Sequence, residues 1–196
     1  PRGWTRTYPN LLTMEAVKGA ECYRYFEKYP DMAARYNTIA ALVRGTAGPA
    51  DYTPATFTNQ KYPHKTTTAH ELALTIVYES GIIHMADKPE GYRNLPAEAK
   101  DFLKRVPAVW DETRLIAAVP GELFVIARKR EGKWYVAGIN GKDEVQEITF
   151  SLPEAIVNPI LLADGKTQSE IIINKTVGVA SNYTLKLMPK GGFVIY

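Results

Sequence analysis

Two glutamates six residues apart, Glu15 and Glu21, are the side chains whose type and spacing could do chemistry. A carboxylic acid donates a proton to a leaving group if its pKa is raised enough to keep it protonated near neutral pH. Carboxylate oxygens are also the ligands that calcium prefers. On a regular helix the two side chains lie roughly 120° apart, so joint action requires a bend. Gly19 between them permits one.

Taken by itself, this spacing is weak evidence for a catalytic site. Two glutamates on a solvated helix beside Lys18 are the commoner explanation for such a pattern. The elements around the pair must therefore decide between the two interpretations.

The composition of the 196-residue chain is that of a globular protein with one large domain or two small ones. Its net charge of +3 comes from scattered residues, and we expect the longest basic cluster, Arg128-Lys129-Arg130, to form a solvated strand end. The single Cys22 excludes an internal disulfide and a cysteine-based metal site. The three histidines do not match zinc-ligand spacing: His64, His70 and His84.

The pattern of residues changes near residue 107. Before it, residues 66–78 give the clearest helix, with a threonine cap, and apolar residues on most faces predict burial on more than one side. Residues 96–104 predict a short amphipathic helix, and residues 13–26 a turn that leads into a helix. Residues 36–43 form a short apolar segment whose pattern does not distinguish helix from strand, and a proline-rich loop follows it.

After residue 107, short β-type runs alternate with turn signals. A hairpin is expected around Arg130-Glu131-Gly132, between residues 122–129 and 133–138. Such spacing is typical of an antiparallel sandwich. The further strand candidates are 145–151, 158–162, 170–173, 183–187 and 192–196.

Six strings along the chain, in this order, resemble glycoside hydrolase family 97. They are RTYPNLLTMEAVKGAE from Arg6, AGPADYTP from Ala47, TTAHELALTIVYES from Thr67, PEGYRNLP from Pro89, WDETRLIAAVPGELFVIARK from Trp110 and WYVAGING from Trp134. The resemblance spans residues 1 to about 142. No single string decides it, but their order and spacing make chance similarity a poor explanation.

The resemblance implies an α+β multidomain fold. Residues 1–107 would be the C-terminal segment of a (β/α)8 TIM barrel, and residues 108–196 an antiparallel β-sandwich. The remainder of the barrel would come from an upstream chain or a partner, because a few βα units leave strand edges uncovered. Active sites of such barrels lie on loops at the carboxyl ends of the strands.

The resemblance also implies an activity, namely calcium-dependent hydrolysis of α-glycosidic bonds in oligosaccharides. In the family motif the first glutamate binds calcium and the second donates the proton, which assigns these roles to Glu15 and Glu21. This sequence departs from the motif at four nearby positions, and these changes bear on subsite specificity. The residues are Met14, Ala16, Lys18 and Ala20, where the family usually has arginine, glycine, arginine and glutamine.

Two loop residues, Asp51 and Tyr52, are candidates for contact with the sugar. The alternatives are a turn-forming aspartate and a tyrosine that packs with its polar end in water.

The leading hypothesis is an α-glucosidase; the alternatives are a retaining α-galactosidase and a non-catalytic carbohydrate-binding or oligomerisation module. The second catalytic carboxylate is expected before Pro1, as a glutamate a few residues upstream in the inverting branch or an aspartate further upstream in the retaining branch. Members of the family often occur in the bacterial periplasm, so the resemblance implies a bacterial protein that is periplasmic or secreted.

Overall fold

The computed structural model describes residues 3–196, apart from the side chain at position 153. Helices occupy the part before residue 107, and a short 3-10 helix covers Gly45–Ala47. The α-helices are α1 (Trp4–Thr7), α2 (Cys22–Tyr25), α3 (Tyr29–Val43), α4 (Thr68–Val77), α5 (Pro89–Arg93) and α6 (Ala97–Arg105).

Helix α4 is the central helix of the molecule. Thr67 caps it by accepting a hydrogen bond from the backbone N–H of His70 (3.1 Å), which satisfies one of the donors left over at a helix start. All ten residues of α4 are buried, which confirms the predicted burial on more than one side. His70 is fully buried and bonded at both ring nitrogens, to Asn37 (3.0 Å) and to the carbonyl of Gly191 (3.1 Å).

The expected barrel strands are not formed. Residues 3–111 contain no β-strand, and one isolated parallel bridge joins Met14 to Ala50 on either side of α3. Parallel pairing is slightly less stable per residue than antiparallel pairing, and each of these segments has a single bridge partner in the described chain. The barrel strands predicted for residues 1–107 are therefore absent from the described residues, which form one parallel bridge instead.

Eight antiparallel strands follow α6. Strands β1, β2, β3, β8, β5 and β6 form one sheet in that order, and β4 and β7 form a separate ribbon. The predicted antiparallel sandwich is therefore confirmed. The bounds are β1 (Glu112–Val119), β2 (Leu123–Arg130), β3 (Lys133–Asn140), β4 (Gln146–Val157), β5 (Ile160–Asp164), β6 (Ile171–Lys175), β7 (Val179–Leu187) and β8 (Gly192–Ile195).

The large sheet has a hydrophobic cluster on each face. On one face, α3 and α4 pack against it, and Leu72 and Ile76 of α4 share a cluster with Ile126 and Val194. On the other face, the β4–β7 ribbon covers a second cluster that includes Phe150. Because the first cluster includes both helices and strands, the division into domains 1–107 and 108–196 stays a prediction.

Arg128 has a different environment from the one expected. The residue is 5% exposed, and its guanidinium donates to the carbonyls of Ile76 (2.7 Å) and Val77 (3.2 Å) at the end of α4. A cation there stabilises the helix end, because the last carbonyls lack partners within the helix. The prediction of a solvated basic cluster is therefore wrong at Arg128.

Candidate active site

A cavity of about 530 Å³ opens beside Glu21. Its walls come from the segment after the Met14 bridge residue and from the loop after Ala50. Residues 86–88 complete the lining. The first two wall segments therefore follow the two residues of the parallel bridge along the chain.

The Glu21 carboxylate is held mainly by two donors, and the Cys22 thiol makes a longer third contact with its Oε1 (4.0 Å). Its Oε1 accepts the backbone N–H of Gly19 (3.2 Å), and its Oε2 accepts the hydroxyl of Thr53. Gly19 is required by a close approach, since a Cβ there would lie 1.8 Å from the carbonyl oxygen of Tyr52. The close packing that Gly19 permits places the Glu21 side chain at the cavity wall, but the structure does not bring Glu15 and Glu21 together there.

Two residues of the segments that form the cavity walls, Ala16 before Glu21 and Thr53 in contact with it, have left-handed backbone conformations. Ala16 has φ 66 and Thr53 has φ 59, and such values are uncommon for residues with side chains, above all for a β-branched one. Strained residues of this kind cluster at functional sites, where the surrounding structure enforces them.

Glu15 lies apart from the cavity. It is exposed and does not contribute to the lining, while its backbone carbonyl accepts two hydrogen bonds from Arg44 (3.2 and 2.9 Å). Within residues 3–196, no three side chains of histidine, cysteine, aspartate or glutamate converge as a metal site. The role of Glu15 as a calcium ligand stays a prediction.

The two loop candidates differ in accessibility. Asp51 is partly exposed, and its carboxylate contacts Nδ1 of His84 at 3.0 Å, outside the cavity. Tyr52 is 1% exposed; its hydroxyl donates to Asn37 (2.7 Å) and its ring stacks on Tyr78. A sugar cannot reach Tyr52 without disrupting the core, so the structure argues against the predicted substrate contact.

A buried polar network under the cavity was not predicted. Glu71 is fully buried and accepts hydrogen bonds from the Thr66 hydroxyl (2.6 Å), the Tyr23 hydroxyl (3.4 Å) and the Thr56 N–H (3.4 Å). Burial raises the pKa of Glu71 above its ordinary value. Tyr23 and Thr56 line the cavity, so this carboxyl group fixes two parts of its wall.

Asp87 holds a third part of the wall. Its carboxylate accepts the backbone N–H groups of Phe57 (2.7 Å) and Thr58 (2.8 Å), and the Thr58 hydroxyl (2.6 Å). The sequence gives no signal for this contact, because Asp87 and the loop are about 30 residues apart.

No helix within residues 3–196 is both long enough and apolar enough to cross a bilayer.

Comparison with known proteins gives consistent matches. Residues 109–196 match the family model described as Glycosyl-hydrolase 97 C-terminal, oligomerisation. A probable retaining α-galactosidase of Streptomyces bingchenggensis is 39% identical over 166 residues, 84% of this chain and 25% of that protein. A retaining α-galactosidase of Bacteroides thetaiotaomicron is 34% identical over 149 residues, 71% of this chain and 22% of that protein.

Solved structures match along almost the whole chain. A β-arabinopyranosidase has a TM-score of 0.87 at 28% identity, over 100% of this chain and 32% of that one. A glycoside hydrolase family 97 enzyme from Pseudoalteromonas sp. strain K8, in complex with acarbose, has a TM-score of 0.86 at 28% identity. This match covers 98% of this chain and 32% of that one. The chain spans about a quarter of the length of the curated relatives it matches. On these matches, the chain belongs to glycoside hydrolase family 97.

Proposed function

We propose that this chain supplies part of the catalytic centre of an α-glycoside hydrolase. The observation that carries the proposal is the placement of Glu21 on the wall of a cavity, with its carboxylate fixed by Gly19 and Thr53. Residues 1–107 would complete a barrel with residues from outside the chain. The parallel bridge that joins Met14 to Ala50 supports this assignment, and so does the match of this whole chain to 32% of a longer solved structure.

Glu21 would act as the general acid. In glycoside hydrolysis a carboxylic acid protonates the leaving oxygen, while a second carboxylate acts on the other side of the sugar. The two donors that hold Glu21 fix the direction of its carboxyl group, and the cavity beside it has room for a leaving group. The second carboxylate would come from outside these residues.

An α-galactosidic bond is the better-supported target. The two curated relatives compared above are named as a probable retaining α-galactosidase and a retaining α-galactosidase, which favours the alternative over the α-glucosidic hypothesis that the sequence suggested first. The α-glucosidic hypothesis keeps the support of the family structure in complex with acarbose. A location in the periplasm or outside the cell rests on the family resemblance alone.

The leaving group provides a sharp test of the acid role. Glu21→Gln in the complete natural protein should lower kcat/KM for an α-galactosyl disaccharide by more than about 100-fold, because a sugar hydroxyl needs protonation to leave. It should affect nitrophenyl α-galactoside much less, since nitrophenolate leaves without a proton. Equal losses on both substrates would contradict the acid role. The same assay with the corresponding α-glucosides shows which of the two bonds, α-galactosidic or α-glucosidic, the enzyme cleaves.

Calcium would bind on the side of Glu15. Its carboxylate is exposed and has no side-chain partner within residues 3–196, and calcium requires 6 to 8 oxygen ligands, so most would come from elsewhere. When bound, the ion would supply positive charge to the substrate hydroxyls. After chelation, Glu15→Gln should need at least about tenfold more calcium to restore activity. An unchanged requirement would remove Glu15 from the site.

A second function, oligomerisation, has its own support in the β4–β7 ribbon. The matching family model is described as an oligomerisation domain, and three valines at one end of the ribbon are strongly exposed. These are Val157 (67%), Val177 (95%) and Val179 (67%). We call them the valine patch. Exposed apolar side chains gathered in one place are typical of protein contact surfaces.

A further inference from the structure

The wall of the cavity beside Glu21 carries more cations than it needs for its own structure. Three cations, Arg24, Lys61 and Lys88, line it together with the two carboxylates Glu21 and Asp87. Oδ2 of Asp87 accepts the backbone N–H groups of Phe57 and Thr58, and Oδ1 accepts the Thr58 hydroxyl and the N–H of Lys88. Lys88 donates to the side chain of Gln60 (3.0 Å). Arg24 and Lys61 are therefore the cations whose partners have to be explained.

Arg24 is ordered by aromatic rings and has no acidic partner. Its guanidinium carbon lies 5.4 Å from the ring centroid of Tyr25 and 5.8 Å from that of Tyr62. Within residues 3–196, the Arg24 side chain makes no ion pair and no hydrogen bond to protein. Cation–π contacts thus hold the guanidinium at the cavity wall, and no carboxylate within the described residues occupies its N–H donors.

Lys61 extends the same arrangement. Its ammonium lies 5.3 Å from the ring centroid of Tyr62, and it too has no carboxylate partner in the described part of the chain. Arg24 follows Glu21 by three residues across α2, a spacing that brings side chains to the same side of a helical turn. The two cations and the acid therefore face one space.

We propose that this cavity binds the leaving sugar of the substrate and that this sugar carries a carboxylate, as in a hexuronic acid. The planar guanidinium of Arg24 can donate two parallel hydrogen bonds to the two oxygens of a carboxylate. Lys61 adds to the positive potential, and Tyr25 and Tyr62 offer ring faces with polar ends to a sugar. The proposal rests on the proposed acid role of Glu21, because it makes the cavity the leaving-group side of the site.

Two matched substrates test the proposal in the complete natural protein: α-galactosyl-glucuronic acid and α-galactosyl-glucose. At low salt we expect kcat/KM to be about tenfold higher for the acidic disaccharide, and the ratio to fall towards one at about 0.5 M salt. Arg24→Gln should lower the ratio about tenfold, and Lys61→Gln should lower it less. Lys186→Gln, an exposed lysine on β7, is the control and should leave the ratio unchanged.

A ratio near one in the wild-type protein overturns the proposal, and so does a ratio that Arg24→Gln leaves unchanged. A direct binding measurement separates this failure from failure of the acid role. Titration with free glucuronic acid, followed by NMR, should show binding that Arg24→Gln abolishes, even if neither disaccharide is hydrolysed. Glucose in the same titration is the neutral control. Failure of glucuronic acid to bind overturns the proposal whatever the hydrolysis assay shows.

Discussion

At the residue scale, the candidate acid depends on a neighbour without a side chain. Gly19 donates to Glu21 and lies against the backbone of Tyr52. Gly19→Ala would insert a Cβ 1.8 Å from the Tyr52 carbonyl oxygen, so the two loops must separate. We expect a loss of about 1–3 kcal/mol in the free energy of unfolding, measured by urea denaturation, and a fall in kcat.

The matched control is Gly45→Ala, because a Cβ at Gly45 meets nothing within 4 Å and its φ is not in the left-handed region. It should leave both quantities almost unchanged. If the two variants behaved alike, the close approach at Gly19 would have no consequence for the site.

At the element scale, the β4–β7 ribbon is the surface on which self-association would depend. Val157 pairs with Val179 across the ribbon, and Val177 lies in the turn before β7. If the valine patch contacts a second copy, then Val157→Glu should shift the sedimenting species to the monomer, because a buried unpaired charge is costly. The control is Val145→Glu, because Val145 is 42% exposed and lies just before the opposite end of β4; this variant should not shift the sedimenting species. The same shift with both variants, or with neither, would exclude the patch.

Elements with strong local signals could be predicted from the sequence. Helix α4 has its threonine cap and continuous apolar character, and the β2–β3 hairpin turns at Glu131-Gly132, both with positive φ (50 and 77). Such two-residue turns are encoded by their own residues. Strand β1 (Glu112–Val119) was missed, because a break in its register between Leu115 and Ala117 interrupts the alternation of inward and outward residues.

The parts of the site that were missed depend on contacts between distant residues. The special position of Gly19 could be predicted, because a glycine between two glutamates is visible in the sequence, but the separation of Glu15 from Glu21 could not. The burial of Tyr52 and the network of Glu71 could not, because they depend on how α3, α4 and the cavity loops pack. A charged residue in an apolar helix gives no information about its partners until those partners are in place.

At the scale of the whole molecule, Asp164 joins the helical part to the sheet. Its carboxylate accepts hydrogen bonds from the hydroxyl of Thr67 at the cap of α4 (2.5 Å), from the N–H of Met188 (2.9 Å) and from the N–H of Gly192 (2.9 Å) at the start of β8. Burial outweighs these three bonds and raises the pKa of Asp164 from 3.8 to about 6.

A raised pKa makes the stability of the fold depend on pH in a defined direction. The folded protein holds the Asp164 proton more tightly than the unfolded chain does, so this stabilisation is fully present below about pH 4 and is lost as the pH rises through about 6. The interval between the two pKa values corresponds to about 3 kcal/mol. Asp164→Asn stays uncharged, and its amide can donate to Thr67 while its oxygen accepts both N–H groups.

The free energies of unfolding of the two proteins, measured in urea at pH 4 to 7, should therefore diverge as the pH rises. The variant should be similar to the wild-type protein at pH 4 and more stable by up to about 3 kcal/mol at pH 7, because only the wild-type protein must ionise a buried carboxyl group. Groups that titrate elsewhere cancel in this difference. A constant offset across the pH range would mean that Asp164 is ionised in the fold throughout, with its three hydrogen bonds outweighing burial.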